Sequence, residues 1–338
     1  MAKHILTIVD TGDLHCGGST ALFPPKWVNA DGLEIRQNRA QGWLWERWQD
    51  LGLRVKREAL SGVKVFGLFN GDLSEGNHHG TVQLVSASQE DHADIGVEAI
   101  DPLAAWCNWL MFISGTEAHV GLQGRIENII AKTFAAQGKN VVKPPDTALH
   151  VWPLALAEIG GVQFNIAHHG RGSGLERNRN NAASAEAADQ AVEAMFNGLP
   201  IPRYVLRGHT HRIAFGHYTR TNTTALTSGC WQLSTSHGYR IRPHQPPDVG
   251  CWLIRIYDDG TTTHELVQYE VIRDHRHIVR IEHGTHKTGG TGDTAGANTK
   301  RTASAAGKRQ SGRSRGRGAS GHSARIRDTA QSKRRTGA

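Results

Sequence analysis

Asp13 and His15 follow an apolar run at 4–10, and Gly208-His209-Thr210-His211 follows another at 203–207. Carboxylate and imidazole groups at such spacings suit the grip of a transition-metal ion. An Asp and a His two apart can both turn toward one point where the chain bends off a sheet edge. A Gly-His-x-His at a strand end puts two imidazoles on one side of a loop, near enough to serve one ion or two adjacent ones. Alone, Asp-x-His is equally an ordinary turn with a capping Asp. It is not alone. Asn70-Gly71-Asp72 closes the run 63–69, Ser114-Gly115-Thr116-Glu117-Ala118-His119 closes 109–114, and His168-His169-Gly170 closes 162–168. A carboxylate at the C-terminal end of a buried strand points into the crevice where α/β sheets bind ligands.

The elements that must position these groups are short β-branched runs alternating with longer helical patterns, the mark of a layered α/β fold. Leu44, Trp48, Leu51 and Val55 fall on one face of a helix over 39–60, and Ile126, Ile129, Ile130 and Phe134 do so over 125–136. An Ala-rich helix over 182–197 reads as a surface helix or as a cap on the site. After residue 212 the helices stop, and the runs 223–227, 250–257 and 264–272 predict a second sheet. Trp43, Trp45 and Trp48 read as packing residues, as do Cys16, Trp231 and Tyr239, the last two with the alternative of reaching a substrate. His78 and His79 read as a loop at the rim of a site, or as substrate contacts beside Asp72.

The order Asp-x-His, Gly-Asp, Gly-x-x-x-His, His, Gly-His-x-His over residues 4–272 resembles the calcineurin-like metallophosphoesterases, with Gly-His-x-His and Asp-x-His its most specific parts. The resemblance implies a sandwich of two mixed β-sheets flanked by helices. It implies two divalent ions, from manganese (favoured), iron, zinc or nickel, with Asp13, His15 and His211 on one, Asp72 bridging, and His168 or His169 with His209 on the other. One of His168 and His169 should face the ions and the other the sheet or solvent. The family's Gly-Asn-His is absent from its place: Gly76-Asn77-His78-His79 comes too soon after Asp72, with no strand between. His119 is then implied as the catalytic histidine, with Glu117 or Thr116 in place of the Asn ligand, as in similar bacteriophage and prophage members. Arg171, in Gly170-Arg171-Gly172, is a candidate phosphate clamp or a solvated residue of a glycine loop. The implied activity is hydrolysis of phosphodiester bonds by metal-activated hydroxide attack. The alternatives are a phosphomonoesterase or protein phosphatase, and a nucleic-acid-binding protein with an inert metal site.

Composition divides the chain. Thirteen Lys and Arg against two Asp and Glu give the stretch 284–338 a net charge of +11, leaving the body at 1–283 with −3. Rich in Gly, Ser, Thr and Ala and nearly free of apolar residues, that tail is expected to be disordered. Its charge would draw DNA or RNA through salt-sensitive contacts, or serve solubility alone. Cys16, Cys107, Cys230 and Cys251 stand singly, which argues against a disulfide framework or a structural zinc site. No apolar run is long enough to span a membrane or to form a signal-peptide core, so the expected compartment is the cytoplasm, of the host if the chain is phage-encoded.

Overall fold

A computed structural model describes residues 2–78, 80–241 and 245–271, and the backbone of 280–282 and 285–287. The chain divides into two units, 1–274 and 275–338. The first begins with β1 (His4–Thr11), a small hairpin of β2 (Lys26–Val28) and β3 (Glu34–Arg36), and α1 (Arg39–Leu60). The α1 N-terminus is set by a capping box, in which Asn38 accepts from the Ala40 and Gln41 amides while Gln41 reaches back to the Asn38 amide. Next come β4 (Lys64–Asn70), α2 (Gln89–Ala104), β5 (Trp109–Ile113), the single turn α3 (Glu117–Val120), α4 (Arg125–Ala136) and β6 (Val141–Val142). They are followed by β7 (Ala155–Ile159), β8 (Val162–Ile166), α5 (Arg179–Phe196), β9 (Tyr204–Arg207), β10 (Ala214–Tyr218) and β11 (Thr223–Thr227). The unit closes with α6 (Ser236–Ile241), β12 (Val249–Tyr257) and β13 (Thr262–Tyr269).

Two mixed sheets result, in the order β13-β12-β1-β4-β5-β6 and β10-β11-β9-β8-β7. The strands β1, β4, β5 and β6 run parallel, as do β8, β9 and β11, while β12, β13, β7 and β10 join antiparallel. Side chains alternate across the first sheet. Val65 and Phe69 of β4 with Leu110 and Phe112 of β5 pack under α1, α2 and α4. Phe66, Leu68, Met111 and Ile113 point the other way, onto Phe164, Ile166, Tyr204 and Leu206 of the second sheet. Ala183 and Ala187 of α5 cover the far side of that second sheet against Val205 and Ala225. The first unit is thus a layered α/β sandwich of two mixed sheets flanked by helices. Near-continuous apolar strands follow from burial on both faces.

Two expectations change here. Only 223–227 of the later runs enters the second sheet, because β12 pairs with β1 from His4↔Tyr257 to Asp10↔Trp252 and carries β13 onto the edge of the first. Helices also do not stop at residue 212, since α6 follows. The second unit is described as a hairpin of β14 (Arg280–Glu282) and β15 (Thr285–Lys287). His79 and the basic stretch beyond Lys287 lie outside the described residues. Among the described residues, no helix is long and apolar enough to cross a membrane.

Candidate metal centre

The C-terminal ends of β1, β4, β5, β8 and β9 meet at one edge of the sandwich. There the loops after β1 and β4 continue as a pair: the Asp13 amide donates to the Gly71 carbonyl (2.8 Å) and the His15 amide to the Asp72 carbonyl (3.0 Å). The loop after β9 is tied in by the Gly208 amide on the His168 carbonyl (2.9 Å) and by the His209 amide on Asp13 Oδ2 (2.9 Å). Asp13, His15, Asp72, His209 and His211 all have positive φ, between 49° and 69°. This left-handed conformation costs most residue types energy, and its clustering at one place marks a functional site. Gly115 is needed for close approach, because a Cβ there would stand 2.2 Å from the Asp72 amide nitrogen.

The converging side chains form overlapping groups with ligand atoms within 4.8 Å of one another: Asp13–His15–His211, Asp13–Asp72–His168 and His168–His169–His209. Asp13 Oδ1 lies 3.3 Å from His211 Nε2, 3.8 Å from His15 Nε2 and 3.9 Å from His168 Nε2. Asp72 Oδ2 lies 3.0 Å from His168 Nε2 and 3.9 Å from His209 Nδ1. Asp13, His15, Asp72 and His168 are each at most 1% exposed. His168 Nδ1 is held by the Asn70 carbonyl (2.7 Å), which turns Nε2 toward the carboxylates. Asp13 Oδ1 and His168 Nε2 are buried and make no hydrogen bond. Such orphaned polar atoms are costly, and a divalent cation held by these residues would satisfy them. The donor set of oxygen and nitrogen without thiolate fits the ions expected from the sequence.

Both His168 and His169 turn toward the cluster, so neither is lost to the sheet. The His169 Nε2 reaches the Thr116 hydroxyl at 3.1 Å. That hydroxyl also lies 3.1 Å from Asp72 Oδ2 and 3.2 Å from His209 Nδ1, and the Thr116 amide donates to Asp72 Oδ1 (2.6 Å). Glu117 is not brought in. It opens α3, is exposed, and belongs to none of the converging groups among the described residues. Of the two readings of Arg171, its placement suits the solvated one: its guanidinium, 59% exposed, pairs with Asp189 of α5. The glycines on either side, Gly170 and Gly172, line the cleft instead.

Electrostatics follow the geometry. Burial disfavours the Asp13 and Asp72 carboxylates, but the His168 charge and close contacts with neighbouring histidines outweigh it and hold both well below the usual carboxylate range. In return, and against burial, Asp13 and Asp72 raise His168 to about 9, while Asp13 and Glu75 raise His15 to about 10. His119 goes the other way, to about 4, through burial and then the nearby His15 charge. His119 Nδ1 is bonded to the Glu75 carbonyl at 2.7 Å, and its ring stands edge-on to those of His15 and His78, at 4.7 Å and 4.2 Å between centroids.

Two carboxylates here had no sequence signal beyond position. Glu75 follows Asp72 by three residues and contacts His15 Nδ1 at 3.0 Å. Glu127, fully buried on α4, accepts from the Gly115 amide (2.8 Å) and the Leu73 amide (3.3 Å), bracing two ligand loops. Burial, and then Asp72, push its carboxyl up to about 8. The cluster opens on a cleft of about 700 Å³ walled by His78, His119, Arg212, Gln232, Ser234 and Thr235. Trp231 is buried beneath it against Trp48, as packing, while Tyr239 is exposed. Helix α5 packs on the second sheet and does not cap the cleft.

No protein-family model matches the sequence, and no curated protein is significantly similar to it. Solved structures matched by this chain include Vps29 of Entamoeba histolytica complexed with zinc (10% identity, TM-score 0.33, covering 78% of this chain and 98% of that one). Another is the sulfate thiohydrolase SoxB of Thermus thermophilus in complex with glycerol (11% identity, TM-score 0.36), where 79% of this chain spans 57% of that one. A third is a conserved uncharacterized protein of Streptococcus pneumoniae described as a predicted phosphoesterase (12% identity, TM-score 0.27, covering 79% and 99%). These likenesses are too distant to transfer a residue or a reaction.

Proposed function

We propose that this chain is a dinuclear metal-dependent phosphoesterase of the calcineurin-like kind, acting on phosphodiesters. The observation that carries the reading is the convergence of Asp13, Asp72 and five imidazoles at the ends of strands from both sheets. Asp13, His15 and His211 would hold one ion. His168, His169 and His209 with the Thr116 hydroxyl would hold the other, and Asp72 would stand between them. A pair of divalent ions so held would supply charge neutralisation to a phosphate and a nucleophilic water at neutral pH. Manganese is the first ion to try.

The chain's own residues do the rest. Glu75 and Asn70 carbonyls fix the His119 and His168 tautomers. With Nδ1 committed, His119 presents Nε2, neutral near pH 7, as a proton acceptor. An anionic ester beside it favours the imidazolium, so proton return to the leaving oxygen is coupled to substrate being bound. Arg212 lines the cleft where Arg171 does not, anchored by Glu176 and the Pro246 carbonyl. The body at 1–283 would carry the chemistry and the basic stretch 284–338 a salt-sensitive affinity for nucleic acid.

Manganese-dependent hydrolysis of bis-p-nitrophenyl phosphate against p-nitrophenyl phosphate tests this. Diester turnover is expected, lost in Asp72→Asn and reduced about 10²–10⁴-fold in His119→Ala. Faster monoester turnover would move the reading to a phosphatase. No turnover with manganese, iron, zinc or nickel would sink it.

A further inference from the structure

Glu75 is 4% exposed, on the loop three residues past Asp72, with its amide on the Cys16 carbonyl at 3.0 Å. Its Oε2 makes a charge contact with His15 Nδ1 at 3.0 Å, without the alignment of a hydrogen bond, and accepts from the Gln232 amide group, while Oε1 lies 3.4 Å from His78 Nε2. The other nitrogen of His15, Nε2, faces the centre, 2.9 Å from His211 Nε2. An imidazole whose Nδ1 faces a carboxylate favours its proton there and offers its lone pair from Nε2. Carboxylates so placed orient metal-ligating histidines and raise their basicity. A buried carboxylate needs partners to be tolerated, and Glu75 has them on both oxygens.

We propose that Glu75 is a positioning residue: it fixes the His15 tautomer and orientation for one ion of the centre, and rests on the metal-centre reading above. Through its carbonyl the same residue holds His119 Nδ1. One residue thus aligns a ligand imidazole and the candidate catalytic imidazole, which couples ion affinity on one side of the cleft to proton transfer on the other. His15, Glu75 and His119 also fall within ligand distance of one another. A third ion there is the competing role, but it would compete with the Glu75 carbonyl for His119 Nδ1.

The test is calorimetric titration of Mn²⁺ into the ion-free wild type and Glu75→Gln, which keeps the shape and removes the charge. Two bound ions are expected in the wild type. In the variant one should weaken about 10–100-fold and the other, which does not use His15, should hold its affinity. Unchanged affinity for both ions would overturn the role of Glu75 and leave the metal centre standing. A third equivalent lost in the variant would overturn it in favour of direct ligation. A wild type that binds no ion would overturn the metal-centre reading and this role with it. Should the variant fail to fold, ¹⁵N ring shifts of His15 in the Zn²⁺-loaded wild type decide: Nδ1 protonated and Nε2 bound supports the role, and Nδ1 bound overturns it.

Discussion

At the scale of single residues, Thr116 stands where the Gly-x-x-x-His stretch lacks an amide. Its hydroxyl is shared among Asp72, His169 and His209, whereas the neighbouring Glu117 is turned out by the start of α3. Thr116→Val keeps the shape and removes the oxygen. It is expected to weaken ion binding and turnover about 10–100-fold. Arg171→Ala removes only a half-exposed ion pair with Asp189, so its effect should stay under about twofold. Steady-state kinetics on both variants, with metal analysis of the purified proteins, checks this pair; equal effects would contradict the assignment. Asp13, His15, Asp72, His209 and His211 were legible in the sequence because each falls a fixed step past an apolar run. Glu75 and Glu127 were not. A lone acid in a loop or on a helix has no spacing to distinguish it, and only folding shows which amides and imidazoles it meets.

At the scale of elements, the strand ends are tied beneath the site by polar groups inside the sandwich. Asp10, the seventh residue of β1, is fully buried and accepts from the Ser228 hydroxyl (2.9 Å) at the end of β11. Arg207 of β9 is buried beside Glu186 of α5 and Asn165 of β8. Burial raises the Asp10 carboxyl to about 7, against the pull of Ser228 and Asn70. An acid whose folded pKa lies above its unfolded value keeps its proton longer in the folded state. Stability should therefore be full below pH 3.8 and decline as pH rises to about 7, by about 4 kcal/mol at most from this group. Asp10→Asn is expected to flatten that decline in urea unfolding of the ion-free protein between pH 4 and 8. An unaltered slope would show that Asp10 is not its source. Strands β4, β5, β8 and β9 were legible as apolar runs because burial on both faces leaves them little polar alternation. Helix α2 was missed: half of its buried residues are Ala93, Gly96, Ala99 and Ala104, which dilute the stripe of Ile95, Ile100 and Leu103, and it carries Pro102. Strand β12 was seen but given to the wrong sheet, since nothing local in 249–257 says which strand it will pair with.

For the whole molecule, the proposed ligands come from both sheets: Asp13, His15, Asp72 and Thr116 from the first, His168, His169, His209 and His211 from the second. Ions bound there would staple the two sheets together, and their uptake is tied to pH. In the ion-free protein His15 and His168 are raised to about 10 and 9, and His211 is raised as well by Cys230 and Asp13 against burial, which favours the charged forms of this group at pH 7. These raised values add stability to the ion-free fold below about pH 6.5 that is lost as pH climbs through 9 to 10. Ligation needs neutral imidazole, so ion binding must release protons, about one to three per chain, and its affinity should rise with pH. Manganese titrations at pH 7 in buffers of different ionisation enthalpy count those protons. An affinity constant from pH 6 to 9 would refute the linkage.

The left-handed bends at five of the centre's residues limit how such a protein can change over time. Each position is selective twice, once for a side chain that ligates and once for a backbone that tolerates positive φ, which Asn, Asp and His do best. Replacement of His211 by Asn loses an imidazole and spares the bend, whereas Val loses both. Mutational drift away from metal chemistry would therefore pass first through amides. A lineage that fell silent in this way would keep the loops of a working enzyme long after its ligands had gone.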